Sequence, residues 1–140
     1  MTEEDPTAAN RWIGEHRALD DLLGRFLVAA SGGEAAAARE AILAFDEALR
    51  RHTAAEEEEV FHRQRGERLV PKEEEGGRER LLRELALEHV QIRELSGILV
   101  RLWTEPADSR ARGLVGTLLS RWDAHTAREE REVHSRGTRA

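Results

Sequence analysis

Apolar residues recur at intervals of three and four along four stretches of the chain, the spacing that places them on one face of an α-helix. The first stretch carries Trp12, Leu19 and Phe26 and stops at two glycines. Breakers also separate the later stretches, with Pro71 before the third and Pro106 before the fourth. Four such helices predict an all-α fold, an up-down-up-down four-helix bundle.

Six polar residues lie on these apolar stripes, where a polar side chain is costly unless a partner satisfies it. They are His16, His52, Glu56, His89, His125 and Glu129. The last three repeat the first three at a constant offset of 73 residues, as His16 to His89 shows. We therefore expect one domain over 1–140, built from two similar halves at about 7–66 and 78–136. A metal site in the bundle core would leave such a duplication in the sequence.

The four histidines also share one level of the predicted bundle. His16 and His52 are equidistant from residue 34, and His89 and His125 are equidistant from residue 107, each point lying next to a predicted turn. Because each helical residue rises by about 1.5 Å, equal distances from a turn give equal heights. Unrelated core histidines would have no reason to form one layer.

The two HxxxE segments place a histidine and a glutamate on one helix face, where both can reach a common ion. Four imidazoles and two carboxylates form a mixed nitrogen and oxygen donor set, which suits borderline metals such as iron, manganese, cobalt or zinc. Six donors exceed what one open site needs and predict a dinuclear site, with Glu56 and Glu129 between the ions. The spacing leaves open which histidines share an ion.

The order of one histidine, an HxxxE segment, another histidine and another HxxxE segment resembles the hemerythrin-like (HHE) family of cation-binding bundles over nearly the whole chain. Phe61 also resembles the aromatic residue that follows the first HxxxE in that family. The resemblance implies two irons, bridged by Glu56, Glu129 and a solvent-derived oxo or hydroxo group, with manganese and zinc as secondary choices. It further implies binding of O2, NO or peroxide, for sensing, binding or detoxification.

One position departs from the members that carry oxygen. Those proteins have a further histidine one turn from the third ligand, whereas Leu85 and Arg93 stand four residues before and after His89. A missing protein ligand leaves an additional position for solvent or substrate, which argues against simple oxygen carriage. Two alternatives therefore stay open: a di-iron oxidase or peroxide-decomposing enzyme, and an iron storage or iron-sensing module.

Composition narrows the remaining classes of function. The chain has no cysteine, which excludes thiolate zinc sites, and its net charge of −6, with acids and bases interspersed, argues against a nucleic-acid partner. Since no apolar run has the length of a membrane span or signal sequence, we expect a cytoplasmic protein without a membrane partner. Without a nucleotide-binding motif in the chain, an electron donor would be a partner protein.

Several other polar residues lie near the six predicted ligands. Glu59, Glu132 and Asp20 lie one or two helical turns from predicted ligands. They are candidates for the missing ligand, but such a residue near solvent is usually a solvated charge, which is the role we expect. A regular helix places His62 and His134 off the inner face, which predicts surface positions for both.

Two tryptophans share helix faces with predicted ligands. Trp12 precedes His16 by four residues, and Trp122 precedes His125 by three. Core packing is the expected role of both, and lining the metal pocket is the alternative.

Overall fold

The computed structural model describes residues 6–62, 77–103 and 109–134. These residues are helical except for short turns at the helix ends, and the described ranges contain no strand. The elements are α1 (Pro6–Ser31), α2 (Ala35–Glu56) with a π-helical continuation (Glu57–His62), α3 (Gly77–Leu102) and α4 (Ser109–Glu132). The prediction of four helices is confirmed.

A glycine turn reverses the chain between α1 and α2. The backbone N–H of Glu34 donates to the carbonyl of Ala29 at 2.9 Å, and that of Gly33 donates to the carbonyl of Ala30 at 3.3 Å. Gly33 has a φ of 73°, in the left-handed region that glycine adopts without steric cost. This pairing satisfies the last carbonyls of α1 and sends α2 back along it.

Contacts at the helix ends are consistent with the up-down-up-down order. At one end of the bundle, Arg78 at the start of α3 donates to the carbonyl of Glu132 at the end of α4. At the opposite end, Phe26 and Trp103, close to the ends of α1 and α3, pack with ring centroids 4.8 Å apart. Helices α3 and α4 are therefore antiparallel, and α1 and α3 run the same way.

The apolar core consists of two clusters, with the six polar residues between them. The larger cluster fills the part of the bundle near the α1–α2 turn and includes Leu19, Phe26, Phe45, Ile92 and Trp122. The smaller cluster covers the other end and consists of Trp12, Val60, Phe61, Leu82, Leu85 and Val133. Each helix passes from one cluster to the other through the polar layer, which is therefore enclosed on both sides.

Both HxxxE segments are followed by a widened turn. After Glu56 the helix continues as a π-helix, and after Glu129 the N–H of His134 donates to the Glu129 carbonyl five residues back at 2.9 Å. A regular α-helix would place a residue five positions on about 140° away. A π-type turn brings it back over the same face, which explains why Phe61 and His134 are buried.

The predicted surface position of His134 is therefore wrong, because the prediction extrapolated a 3.6-residue turn through a five-residue one. The imidazole of His134 is buried, with 1% of its surface exposed. The side chain of His62, the other histidine predicted at the surface, lies outside the described residues.

No helix in the described part of the chain is long and apolar enough to span a membrane.

Candidate metal centre

The six predicted residues meet in one buried layer, and their donor atoms form two overlapping groups. The first group, called site A, consists of His16, His52, Glu56 and Glu129. The second group, called site B, consists of Glu56, His89, His125 and Glu129. Within each group the donor atoms lie within 4.8 Å of one another. The structure thus pairs His16 with His52 and His89 with His125, and it places both glutamates in both sites.

Several donor atoms are separated by the distance expected of neighbouring ligands on one ion. Nε2 of His16 lies 3.0 Å from Oε1 of Glu129, and Nε2 of His125 lies 2.9 Å from Oε2 of Glu129. Nε2 of His89 lies 3.0 Å from both Oε1 of Glu56 and Oε2 of Glu129. Adjacent ligands at about 2.1 Å from a metal are about 3.0 Å apart in octahedral geometry.

Buried polar atoms without hydrogen bonds show that the layer fits cations. Among the described residues, Nε2 of His16, His52 and His125 has no hydrogen-bond partner, although carboxylates lie close by. Oε1 of Glu56 and Oε1 of Glu129 also have no hydrogen-bond partner among these residues. Leaving one such group buried and unsatisfied costs about 1–3 kcal/mol. Cations at sites A and B would satisfy these atoms with the nitrogen and oxygen donors already in place.

Each of the four histidines is oriented by a carboxylate on its outer side. In every case Nδ1–H donates to a half-buried glutamate, so the lone pair on Nε2 faces the layer. The pairs are His16 with Glu130 at 2.8 Å, His52 with Glu15 at 2.7 Å, His89 with Glu57 at 2.8 Å, and His125 with Glu88 at 2.7 Å. Such carboxylate–histidine pairs select the histidine tautomer that binds a metal and increase the basicity of its Nε2.

The sequence interpretation missed these outer glutamates, although the signal was present. Glu15 and Glu88 are 73 residues apart, as are Glu57 and Glu130, so they repeat with the six inner residues. Glu57 and Glu130 stand in acidic runs, which usually form solvated helix faces, and Glu15 and Glu88 are single glutamates next to a predicted ligand, so local spacing does not single out any of the four.

Loss of an outer carboxylate should weaken metal binding without removing a ligand. Replacing Glu88 by glutamine should lower the affinity of the protein for Co²⁺ by about tenfold or more, because His125 loses its charged partner. Competition with a chelator of known affinity measures the change. The matched control is Glu84→Gln, one turn earlier on α3 at an exposed position, which should bind Co²⁺ as the unmodified protein does. Equal losses in the two variants would contradict the orienting role.

Without an ion, protons compensate the buried negative charge. Burial by itself lowers the pKa of His89, but the nearby carboxylates of Glu129, Glu56 and Glu57 outweigh it and raise this pKa well above 6.5. Burial by itself raises the pKa of Glu129, but contacts with His125 and two other histidines hold this pKa well below 4.5. The metal-free layer therefore contains an ion pair, whose proton occupies the lone pair that a metal would use.

The pKa values of the other three histidines shift in different directions. Burial opposes protonation of His16 and His125, yet the contacts with Glu129 raise the pKa of both above 6.5. Burial dominates at His52 and lowers its pKa below 6.5, with the neighbouring His16 adding to the effect. Site A therefore holds its proton on His16 in preference to His52.

The three neighbouring carboxylates, Glu59, Glu132 and Asp20, lie outside both sites. Glu59 and Glu132 are exposed and form ion pairs with Arg11 and Arg128. Asp20 accepts a hydrogen bond of 2.6 Å from the indole N–H of Trp122. None of the three belongs to either donor group among the described residues.

Both tryptophans pack in the core and also border the centre. Trp12 meets the edge of the His52 ring at a centroid distance of 5.7 Å, and Trp122 meets His16 at 5.8 Å. Because both indoles are buried, they exclude water from the histidine rings.

Arg93 stands where oxygen carriers have an additional histidine, and it does not enter the donor groups. Its guanidinium donates to Oγ1 of Thr53 at 2.9 Å and to Oε2 of Glu57 at 3.1 Å. Arg93 therefore supports the carboxylate that orients His89 and does not supply a donor for the layer.

One further buried histidine contacts the centre. Nε2–H of His134 donates to Oε2 of Glu56 at 2.6 Å, a short bond that is typical of a donor to a charged oxygen. His134 is not a member of either donor group, so it contacts a shared carboxylate from outside.

The fold and the paired donor groups define a helical bundle with a core that can hold metal cations. A family model described as the hemerythrin HHE cation-binding domain matches residues 7–136. The chain belongs to this family, which confirms the resemblance seen in its histidine and glutamate pattern. No curated protein and no solved structure gives a significant match.

Proposed function

We propose that this chain is a non-haem di-iron protein that binds O2 or a related small molecule, NO or peroxide, for sensing, binding or detoxification. The observation that carries the proposal is the pair of adjoining donor groups that share Glu56 and Glu129. Each group offers two imidazole nitrogens and carboxylate oxygens, a set that suits iron in either of its common oxidation states. Two irons in this layer would supply redox chemistry toward a small diatomic or peroxide ligand.

The protein contributes orientation, electrostatics and exclusion of water. Four outer glutamates hold the histidine rings, and the shared carboxylates provide negative charge to balance two cations. The small apolar cluster covers the layer from the end of the bundle, which restricts access to small molecules. Electrons for such a centre would come from a partner protein, with the cytoplasm as the expected compartment.

A second candidate is a di-iron enzyme that decomposes peroxide. The position of Arg93 favours it, because this residue binds Glu57 where a carrier would supply a further nitrogen ligand. Site B then has the same number of histidines as site A, and each site has four donor residues, fewer than the six ligands of octahedral iron. Irons held this way would keep at least one open position, which solvent or substrate would occupy.

The test is anaerobic reconstitution with ferrous iron, metal analysis, and a visible spectrum before and after exposure to air. We expect about two irons per chain and charge-transfer absorption that develops on oxidation. Glu132→Ala, a substitution on the surface of α4, is the control and should give the same result. One bound ion, or the absence of charge-transfer absorption after iron loading, would contradict the di-iron proposal.

Two further measurements separate the candidates. Rapid oxidation by air with no O2 recovered on degassing would argue against a carrier, and sustained O2 release from added peroxide would identify the enzyme. Iron that dissociates at micromolar concentrations, without either reaction, would favour the third option of iron storage or sensing.

A further inference from the structure

The twofold repeat of the centre is broken at positions directly beside the metal layer. Phe61 and His134 are 73 residues apart, so one half has a phenylalanine where the other has a histidine. Phe61 stacks on His89 of site B at a centroid distance of 5.3 Å and an angle of 18°. His134 stacks on Trp12 and meets the His16 ring of site A at 5.8 Å. Site B is therefore covered by a hydrocarbon ring and site A by a polar one.

The two shared carboxylates also break the repeat, because their oxygens are directed differently toward the two sites. Glu129 directs one oxygen to each site, with Oε1 3.0 Å from His16 and Oε2 2.9 Å from His125. Glu56 directs Oε1 alone between the sites, at 3.6 Å from His52 and 3.0 Å from His89.

The second oxygen of Glu56 is turned toward His134. Oε2 lies 2.6 Å from Nε2 of His134 and 4.0 Å from Nε2 of His16. A hydrogen bond to a buried carboxylate is among the stronger polar contacts in a protein, and breaking it would leave Oε2 without its donor. The bond therefore restrains Glu56 in an orientation that Glu129 does not share.

We propose that His134 is a positioning residue that holds Oε2 of Glu56 away from the ion of site A. Glu56 then offers only Oε1 to the centre, and the ion held by His16 and His52 keeps a position for a small exogenous anion. This inference rests on the proposed dinuclear site. If the N–H of His134 is removed, Oε2 is released and takes the position that the anion would occupy.

Cobalt-substituted protein with azide as the anion tests the role without relying on activity. His134→Phe introduces the residue that the other half has at the equivalent position, so it fits the duplicated packing. We expect this variant to retain about two Co²⁺ per chain, to show weaker d–d absorption because the coordination number rises, and to bind azide about tenfold more weakly. His134→Gln retains an N–H donor of similar reach and should restore azide binding to within about threefold of the unmodified protein.

Glu132→Ala is the matched control, because it changes an exposed side chain two residues before His134 that belongs to neither donor group. It should leave azide affinity unchanged. Azide binding and d–d absorption in His134→Phe equal to those of the unmodified protein would overturn the positioning role while leaving the dinuclear site intact. Loss of one cobalt in both His134 variants would make His134 a ligand and would also overturn it. Failure of the unmodified protein to bind two cobalt ions would overturn the dinuclear site, and this role with it.

Discussion

Replacing Glu129 by alanine should reduce the metal content from about two ions per chain to nearly none. The reason is that Glu129 belongs to both donor groups, and the structure places its two oxygens toward different sites. Replacing His16 by alanine should instead remove mainly one ion, because His16 belongs to site A alone. Metal analysis after gel filtration, at equal protein concentrations, measures both results.

Glu132→Ala is the matched control for Glu129→Ala, since it lies three residues further along α4 on the exposed surface. It should retain both ions. A Glu129→Ala protein that still bound two ions would show that the carboxylate is not shared between the sites. Complete loss of both ions in His16→Ala would show that the sites do not bind independently enough to be distinguished.

The metal-free and metal-loaded proteins should respond in opposite directions as pH rises through the ordinary histidine pKa of 6.5. In the metal-free protein His89, His16 and His125 have raised pKa values, so their stabilising contribution is complete below 6.5 and is lost as pH rises through those values. His52, whose pKa is lowered, contributes in the opposite sense but is outnumbered. Stability should therefore fall with rising pH.

In the loaded protein all four histidines must be neutral, so the unfolded chain binds more protons than the folded one. Stability should then rise with pH through 6.5, with a slope of about 1.4 kcal/mol per pH unit for each net proton.

Below about pH 4.5 the metal-free protein should also lose stability, because Glu129 has a lowered pKa and is protonated only with difficulty in the fold.

Urea unfolding at several pH values, with excess chelator or with added Co²⁺, measures both curves. An ion at 100 times its Kd should add about 2.7 kcal/mol to the free energy of unfolding at a given pH. Parallel curves for the two forms, or no difference in stability after verified metal removal, would mean that protons and metal do not compete for the same nitrogens.

The helices and the convergence of the six polar residues could be predicted from the sequence because both depend on local periodicity. His52 and Glu56 share a helix face wherever the helix is regular, and the levelling of the histidines requires only that the turns lie at the breakers. The height of His89 beside the shared glutamates follows from those two conditions, whereas its 3.0 Å distances to them also depend on how the helices pack. Their action as ligands stays a prediction, which the metal analysis of the Glu129 and His16 variants addresses.

The position of His134 could not be predicted because it depends on a departure from helical regularity. Its burial requires the five-residue turn after Glu129, and nothing in the local spacing distinguishes that turn from an α-helical one. The outer glutamates were missed for a different reason. Glu57 is one of four consecutive glutamates, and only the fold shows which of them faces a histidine on another helix.

Glutamates of each half of the chain hydrogen-bond histidines of the other half, and this affects how the protein unfolds. His16 is oriented by Glu130, and His89 by Glu57, so each half completes the other's histidine. Bound ions would link the halves further, because each site combines three residues of one half with a glutamate of the other. Neither helical hairpin can open without exposing charges on both, and we expect the loaded halves to melt as one cooperative unit.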